Sequence, residues 1–390
     1  MRVAINGCGI AGPTLAWWLR KYGHEPVLFE RAEGFRDGGY IIDFWGSGYR
    51  VAGKMGLIPR LREDGYIIER LESHTLRGMR TAAIDASVFV EIAGGDYLSI
   101  ARSDLAAAIL DACHGIETRF GTTVTGYEES GEGVSVALSD GSHEEFDLLV
   151  GADGLHSAVR SMAFGPQEQF ERPLGLHVAA ATLKGYRPRD ELAYVQFTRP
   201  NRQISRASLK DDTTMVLFVF ADSLIEREPQ NDDDARTTLR RIFGGTGWEC
   251  DAILAALEDS GPLYFDKLGQ IYMPHWAKGR VALLGDAAAC LTLLAGEGTG
   301  LAMTEAYVLA GELHNANGDH ARAFAAYEQR LQAYLAKKQA SALRLKGFFA
   351  PKSWWGVGLR EAATLLAAVP FLSRPILGAG MTDDFTLPDY

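Results

Sequence analysis

Val3-Ala4-Ile5-Asn6-Gly7-Cys8-Gly9-Ile10-Ala11-Gly12, running on into a helical pattern that ends near Tyr22, decides the fold of this chain. The apolar run predicts a buried strand and the glycines a tight turn. Leu15, Ala16, Trp18 and Leu19 mark the buried stripe of a helix. Gly7 allows the sharp turn, Gly9 lets the backbone approach a pyrophosphate, and Gly12 lets helix and strand pack closely. The helix N-terminus then offers unpaired N–H groups and the positive end of its dipole to phosphate. Taken alone, Gly-x-Gly-x-x-Gly also occurs in ordinary glycine turns. Here a second apolar run, Pro26 to Phe29, ends on Glu30, about twenty residues downstream, where an acidic partner for ribose hydroxyls belongs. Strand, turn, helix, strand and acid together predict a dinucleotide-binding unit.

The chain's 390 residues exceed one average domain and predict two, with ample length for a large core. A formal net charge of −11 argues against nucleic acid or an anionic membrane as partner. The cysteines, at 8, 113, 250 and 290, have neither metal-ligand spacing nor the pattern of a disulfide framework. No apolar stretch reaches about 18 residues and no leader pattern is visible, so the expectation is a soluble, cytoplasmic protein.

Beyond Glu30, paired glycines at 38–39 precede Tyr40-Ile41-Ile42-Asp43-Phe44-Trp45-Gly46, which reads either as a loop and strand crossing toward a ligand or as a core hairpin. A helical pattern covers Ser47 to Leu61 with Gly56 as a stop, and residues 65–100 alternate like strands, Val88 to Ile92 included. Ser103 is the expected N-cap of the next helix, with Arg102 just before it. Strands follow at Val134–Leu138 and Phe146–Val150, then the turn Gly151-Ala152-Asp153-Gly154 and a short helix holding Ser157 and Arg160. From about Arg172 the texture changes. Leu174–Lys184, Leu192–Thr198, Gln203–Leu209 and Thr214–Ala221 read as an antiparallel sheet, followed by helices at 235–243 and 249–258 and a strand at 263–273. Asp232-Asp233-Asp234 suits a helix start rather than a metal site. At Gly279 to Asp286 a buried parallel-type strand returns, and Ala295-Gly296-Glu297-Gly298-Thr299-Gly300 opens a helix reaching Leu313. The tail is helical, with a second apolar helix around Leu359–Leu372. It reads as a bridge between domains rather than a membrane contact.

Three separated segments carry a resemblance. Gly7–Gly12 with Glu30, Asp147 to Gly154, and Gly285-Asp286 with Gly296–Gly300 are similar to the three fingerprints of FAD-dependent aromatic hydroxylases. These are the single-component flavin monooxygenases with the para-hydroxybenzoate hydroxylase fold, which include polyketide-tailoring and tetracycline-inactivating enzymes. The resemblance implies an α/β fold in which a Rossmann-like FAD-binding domain (1–171 and 279–317) is interrupted by an antiparallel-sheet substrate domain (172–278), with a C-terminal helical tail (318–390). It implies FAD as cofactor, with Gly7, Gly9, Ile10, Ala11 and Gly12 on the pyrophosphate and Glu30 on the adenosine ribose. Arg102 would approach the flavin, Asp153 would belong to the second fingerprint, and Asp286 would contact the ribityl–pyrophosphate stretch. Arg31, Val124, Gly296, Gly298, Thr299 and Gly300 complete the implied cofactor set.

The third fingerprint departs from the family's usual form. Ala289 replaces its histidine, and Leu293 stands about where a proline would face the reacting oxygen. The activity implied is hydroxylation of an aromatic or polyketide-like small molecule with NAD(P)H and O2, through a flavin hydroperoxide, by a monomer or homodimer. The isoalloxazine carries that chemistry, which fits a sequence without a nucleophilic triad. Candidate substrate-pocket residues are Asp43, Trp45, His177, Tyr194, Gln196, Arg206, Phe218, Phe220, Tyr272 and Leu293, each with core packing as the competing reading. Rival functions are a related flavoprotein (epoxidase, halogenase or dehydrogenase) and a dinucleotide-binding protein without turnover. Trp354-Trp355-Gly356-Val357 does not reproduce the tryptophan–isoleucine–proline motif of flavin halogenases.

Overall fold

A six-stranded sheet places the glycine turn at the centre of the molecule. The computed structural model describes residues 1–35, 40–66, 68–188, 192–209, 212–369 and 383–390. From one edge the strands run Ala277–Lys278, Val281–Leu283, Leu148–Gly151, Arg2–Asn6, Glu25–Glu30 and Glu117–Phe120, all parallel but the first. Val3 to Ile5, Val27 to Phe29, Leu148 to Val150 and Val281 to Leu283 are buried, as strands covered on both faces require. Val281–Leu283 joins beside Leu148–Gly151 after the whole intervening sheet has been laid down. Helices Ala11–Lys21 and Gly298–Asn315 pack on one another through Trp18 and Tyr307, whose rings lie 4.7 Å apart edge to face.

The second sheet has seven strands, in the order Tyr264–Ile271, Glu171–Lys184, Thr213–Ala221, Arg202–Ser208, Ala193–Arg199, Arg70–His74 and Arg80–Asp85. It is antiparallel except where Ala193–Arg199 meets Arg70–His74. The sheet therefore recruits two strands from before residue 172. One face, with Phe218 and Phe220, packs on helices Asp232–Phe243 and Cys250–Glu258. The other, with Leu217 and Val219, packs on Leu293, Leu294, Tyr40 and Ile41 from the first half of the fold. The acidic run 232–234 does begin a helix, capped by Asn231, whose side chain accepts from the Asp234 amide at 2.9 Å.

Three local expectations change. Val88 to Ile92 lies in a short helix, Ser87–Ile92, between the edge strand Arg80–Asp85 and Tyr97–Ala101, which pairs with Ile41–Trp45. The Asp85 carboxylate accepts from the Ser87 amide at 2.8 Å and turns the chain there. Ser103, the expected N-cap, lies inside the helix, which starts at Arg102 after Ala101, and the Arg102 amide donates to the Tyr40 carbonyl at 3.1 Å. The 47–61 pattern is two helices, Gly46–Lys54 and Ile58–Asp64, parted where Gly56 takes φ +76°. The glycine pair at 38–39 and positions 370–372 of the expected tail helix lie outside the described residues. The tail comprises His320–Phe349, Trp354–Ala367 and an end segment pinned by Tyr307, which donates to the Pro388 carbonyl at 2.6 Å. No described helix is long and apolar enough to cross a membrane.

Candidate functional site

A cleft of about 510 Å³ starts at the glycine turn and runs beneath the seven-stranded sheet. At its origin Gly7 takes φ +113° while its amide donates to the Phe29 carbonyl at 2.7 Å. A Cβ on Gly7 would lie 2.3 Å from the Ala152 carbonyl oxygen, and one on Gly12 would lie 2.0 Å from that of Gly7. A Cβ on Gly9 would meet only the Arg102 guanidinium, at 3.8 Å. Gly7 thus lets the turn pack against Ala152 of the second fingerprint, Gly12 closes the turn on itself, and Gly9 leaves the cleft wall bare. That bare wall at a helix N-terminus is a cradle shaped for a pyrophosphate, so the residues fit a dinucleotide.

Glu30 stands at the end of its strand with one oxygen accepting from the Cys8 amide at 3.0 Å and the other from the Ala32 amide at 2.9 Å. It lines the cleft with Arg31. Asn6, which the sequence reading passed over, ties the first two fingerprints together. Its side chain donates to Asp153 at 3.1 Å and accepts from the Val124 amide at 3.0 Å. Its only sequence signal was its place as the last strand residue before the glycines. Asp153 lines the cleft, accepts from the Ser157 hydroxyl at 2.5 Å and from the Ala158 amide at 2.8 Å, and so anchors the helix Ala158–Ala163. Val124 is buried behind this junction.

The far wall comes from the third fingerprint. Asp286, Leu293, Gly296, Gly298 and Thr299 line it, Ile10, Ala11 and Arg102 line the rest of the cleft beside the glycine turn, and Gly12 and Gly300 lie behind. Gly300 packs on Gly48, where a Cβ would approach the Gly300 Cα to 2.3 Å. Asp286 opens the short helix Asp286–Ala289, open to the cleft yet surrounded by protein. That surrounding pushes its carboxyl above the ordinary range, and the Arg102 guanidinium draws it back down. Thr292 takes φ +114°, rare for a β-branched residue, in a segment clamped from behind by two buried glutamines. Gln270 donates to the Leu291 carbonyl at 2.7 Å, and Gln339 to the Cys290 carbonyl at 3.2 Å.

The substrate-pocket candidates divide by sheet face. Leu293 lines the cleft, with Tyr40, Tyr264 and Leu268, which the sequence did not single out. Asp43 and Trp45 border a small neighbouring cavity. Asp43 there accepts from the Tyr97 hydroxyl at 2.6 Å and the Ser99 hydroxyl at 2.9 Å. Tyr194 and Gln196 lie on the sheet face toward the first half of the fold, bonded to Ser205 at 2.7 Å and Ser73 at 3.4 Å. His177, Arg206, Phe218 and Phe220 lie on the opposite face. His177 stacks on Phe220, and Arg206 holds Glu249 through two nitrogens at 2.6 and 2.7 Å. Tyr272 sits under the Arg172 guanidinium, 3.7 Å from ring centre, away from the cleft. The structure does not bring these last five residues to the cleft.

Glu305 lies behind the third fingerprint, fully enclosed, accepting from the Gly285 amide at 2.8 Å and the Tyr327 hydroxyl at 3.3 Å. Burial pushes its carboxyl up from 4.5 to about 8. Folding favours the protonated form, so its contribution is whole below pH 4.5 and is lost as pH rises toward 8. The slope is at most about 1.4 kcal/mol per pH unit. Glu305→Gln should therefore gain on the parent protein through that window. Unfolding curves at several pH values check it, and a stability difference independent of pH would contradict it.

The FAD binding domain family matches residues 1–345. The chain belongs to that family. A flavin-dependent monooxygenase of Legionella longbeachae is 29% identical over 393 residues, covering 100% of this chain and 98% of the relative. Another, from an unknown prokaryotic organism, is 32% identical over 339 residues, covering 87% of each chain. Among solved structures, tetracycline destructase Tet(51) superposes with a TM-score of 0.84 at 30% identity, covering 100% of this chain and 99% of its own. Klebsiella pneumoniae HpxO, complexed with FAD and uric acid, shares the fold at a TM-score of 0.81 and 24% identity, covering 97% and 96%. The protein is a flavin monooxygenase and its cofactor is FAD.

Proposed function

We propose that this flavin monooxygenase uses NAD(P)H and O2 to hydroxylate an aromatic or polyketide-like small molecule lying between the flavin and the seven-stranded sheet. One observation carries the reading. A single cleft joins the dinucleotide cradle at Gly7–Gly12 to an apolar and aromatic wall of Tyr40, Tyr264, Leu268 and Leu293. The likeness to a tetracycline destructase adds support for a multi-ring substrate.

Bound in this cleft, FAD supplies oxygen activation and transfer of one oxygen atom to the substrate. Its diphosphate suits the bare backbone at Gly9 and the N-terminus of Ala11–Lys21, and its adenosine ribose suits Glu30. Arg102 and Asp286 suit the flavin end. The N-terminus of Gly298–Asn315 suits the ring edge where negative charge gathers on reduction. The residues' own work is to bind, orient and keep the reacting face dry. In the balanced reaction one oxygen atom enters the product and the other leaves as water, with two electrons from NAD(P)H and a proton from solvent.

The test is NAD(P)H oxidation by the FAD-loaded enzyme against a panel of phenols and polycyclic aromatics, with products weighed. A substrate-dependent rate with a mass gain of one oxygen supports the reading. Oxidation indifferent to every compound, or a halide-dependent product, contradicts it.

Gly298 offers a sharper check on the flavin end. A Cβ there would meet only Asp286 Oδ1, at 3.7 Å, so a side chain enters the cleft without disturbing the fold. Gly298→Val is expected to fold normally and to weaken FAD binding about tenfold, a loss of roughly 1.4 kcal/mol. Fluorescence titration of the apoprotein checks it, and wild-type affinity would mean that this helix end does not meet the cofactor.

A further inference from the structure

The helix that faces the cleft at Gly298 has a charged support behind it. Glu297, the residue before its first turn, pairs with Lys338 at 2.6 Å. The two side chains are only 12% and 7% exposed, so the Glu297 charge is compensated by contact with Lys338 more than by water. Lys338 comes from the long His320–Phe349 helix, and its ammonium also lies 4.9 Å from the Trp45 ring and 5.8 Å from that of Tyr334. Asp383, near the end of the chain, accepts from the Tyr334 hydroxyl at 2.9 Å and from the Ser47 amide. Ser47 is in turn bonded to Thr304 of the cleft helix at 2.9 Å. The C-terminal region thus grips the cleft helix at its N-terminus and about two turns further on.

We propose that Lys338 is a positioning residue that, through Glu297, fixes the N-terminus of Gly298–Asn315 against the flavin and sets the flavin's reduction potential. The inference rests on the reading that this helix end meets the flavin. Left alone, the Glu297 carboxylate would put a negative charge beside a ring that gains negative charge on reduction. Lys338 cancels it at contact distance, in a site with little water to screen the pair. What remains is the helix end itself, whose unpaired amides and dipole favour the reduced ring. Burial pushes the Glu297 carboxyl above its ordinary range, and Lys338 offsets part of that rise.

The test compares FAD-loaded wild type, Lys338→Met, Glu297→Gln and the double variant by spectroelectrochemical titration and FAD titration of each apoprotein. Lys338→Met should shift the flavin potential negative and weaken FAD binding at least about tenfold, because it strands a buried charge. Glu297→Gln should shift the potential positive, and the double variant should return close to wild type. A merely structural pair would not move the potential in opposite directions. Potentials at the wild-type value in FAD-bound single variants, or shifts of one sign in both, overturn the proposal. Should Lys338→Met fail to fold, an unchanged potential in Glu297→Gln overturns it by itself. Gly298→Val separates the two failures. If it loses FAD affinity while the pair leaves the potential alone, only this proposal falls. If it binds FAD like wild type, the underlying reading falls and the proposal with it.

Discussion

Gly9→Val is expected to give a folded protein that has lost FAD, with an affinity at least about 100-fold below wild type, a loss of roughly 3 kcal/mol. The three turn glycines look alike in sequence and differ in what surrounds them. A side chain at Gly9 meets only the Arg102 guanidinium, at 3.8 Å, so it occupies the phosphate cradle and leaves the backbone untouched. A side chain at Gly12 runs into the Gly7 carbonyl oxygen at 2.0 Å, and backbone has to move. Gly12→Ala should therefore cost stability first, by about 3 kcal/mol, and FAD binding only as a consequence. Thermal unfolding of the apoproteins with FAD titration separates the two cases. Loss of stability in Gly9→Val with unchanged affinity in the folded fraction would contradict the assignment of the cradle.

Glu249→Ala carries the second large effect, on stability alone. Arg206 is wholly enclosed and holds Glu249 through two nitrogens, at 2.6 and 2.7 Å, with its guanidinium 5.5 Å from the Trp248 ring. Removing the carboxylate breaks both of these bonds and the one Glu249 accepts from the Tyr186 hydroxyl, at a cost of about 3 kcal/mol. Because this pair lies on the helix-covered face of the sheet, FAD affinity of the folded protein should not change. Replacing both partners by apolar residues should recover most of the loss. Urea unfolding measures the cost. A Glu249→Ala protein of wild-type stability, or one with FAD binding selectively lost, would contradict a structural role for Arg206.

The same two positions mark how far sequence reasoning reached. The glycine turn, its acidic partner and the returning strand at 281–283 were legible because a parallel sheet buried on both faces writes itself as unbroken apolar runs. The substrate face was not legible. Period-two alternation separates Leu217 and Val219 from Phe218 and Phe220, yet both sets are apolar, and only the helices 232–243 and 250–258 decide which set is covered. Asn6 escaped notice because its partners lie more than a hundred residues away, at Val124 and Asp153. Arg70–His74 joins the large sheet through parallel pairing with Ala193–Arg199, a contact no local pattern announces. Val88 to Ile92 had the composition of a strand, yet the Asp85 carboxylate turns the chain into a helix just before it.

Isotope labelling tests the central claim most directly. The cleft that joins a dinucleotide cradle to an aromatic wall is read as a site of oxygen transfer. Turnover of an accepted substrate by the FAD-loaded enzyme with NAD(P)H under ¹⁸O2 should give a product carrying one ¹⁸O atom, and the same reaction in H2¹⁸O should give none. Product labelled only from water would contradict the account.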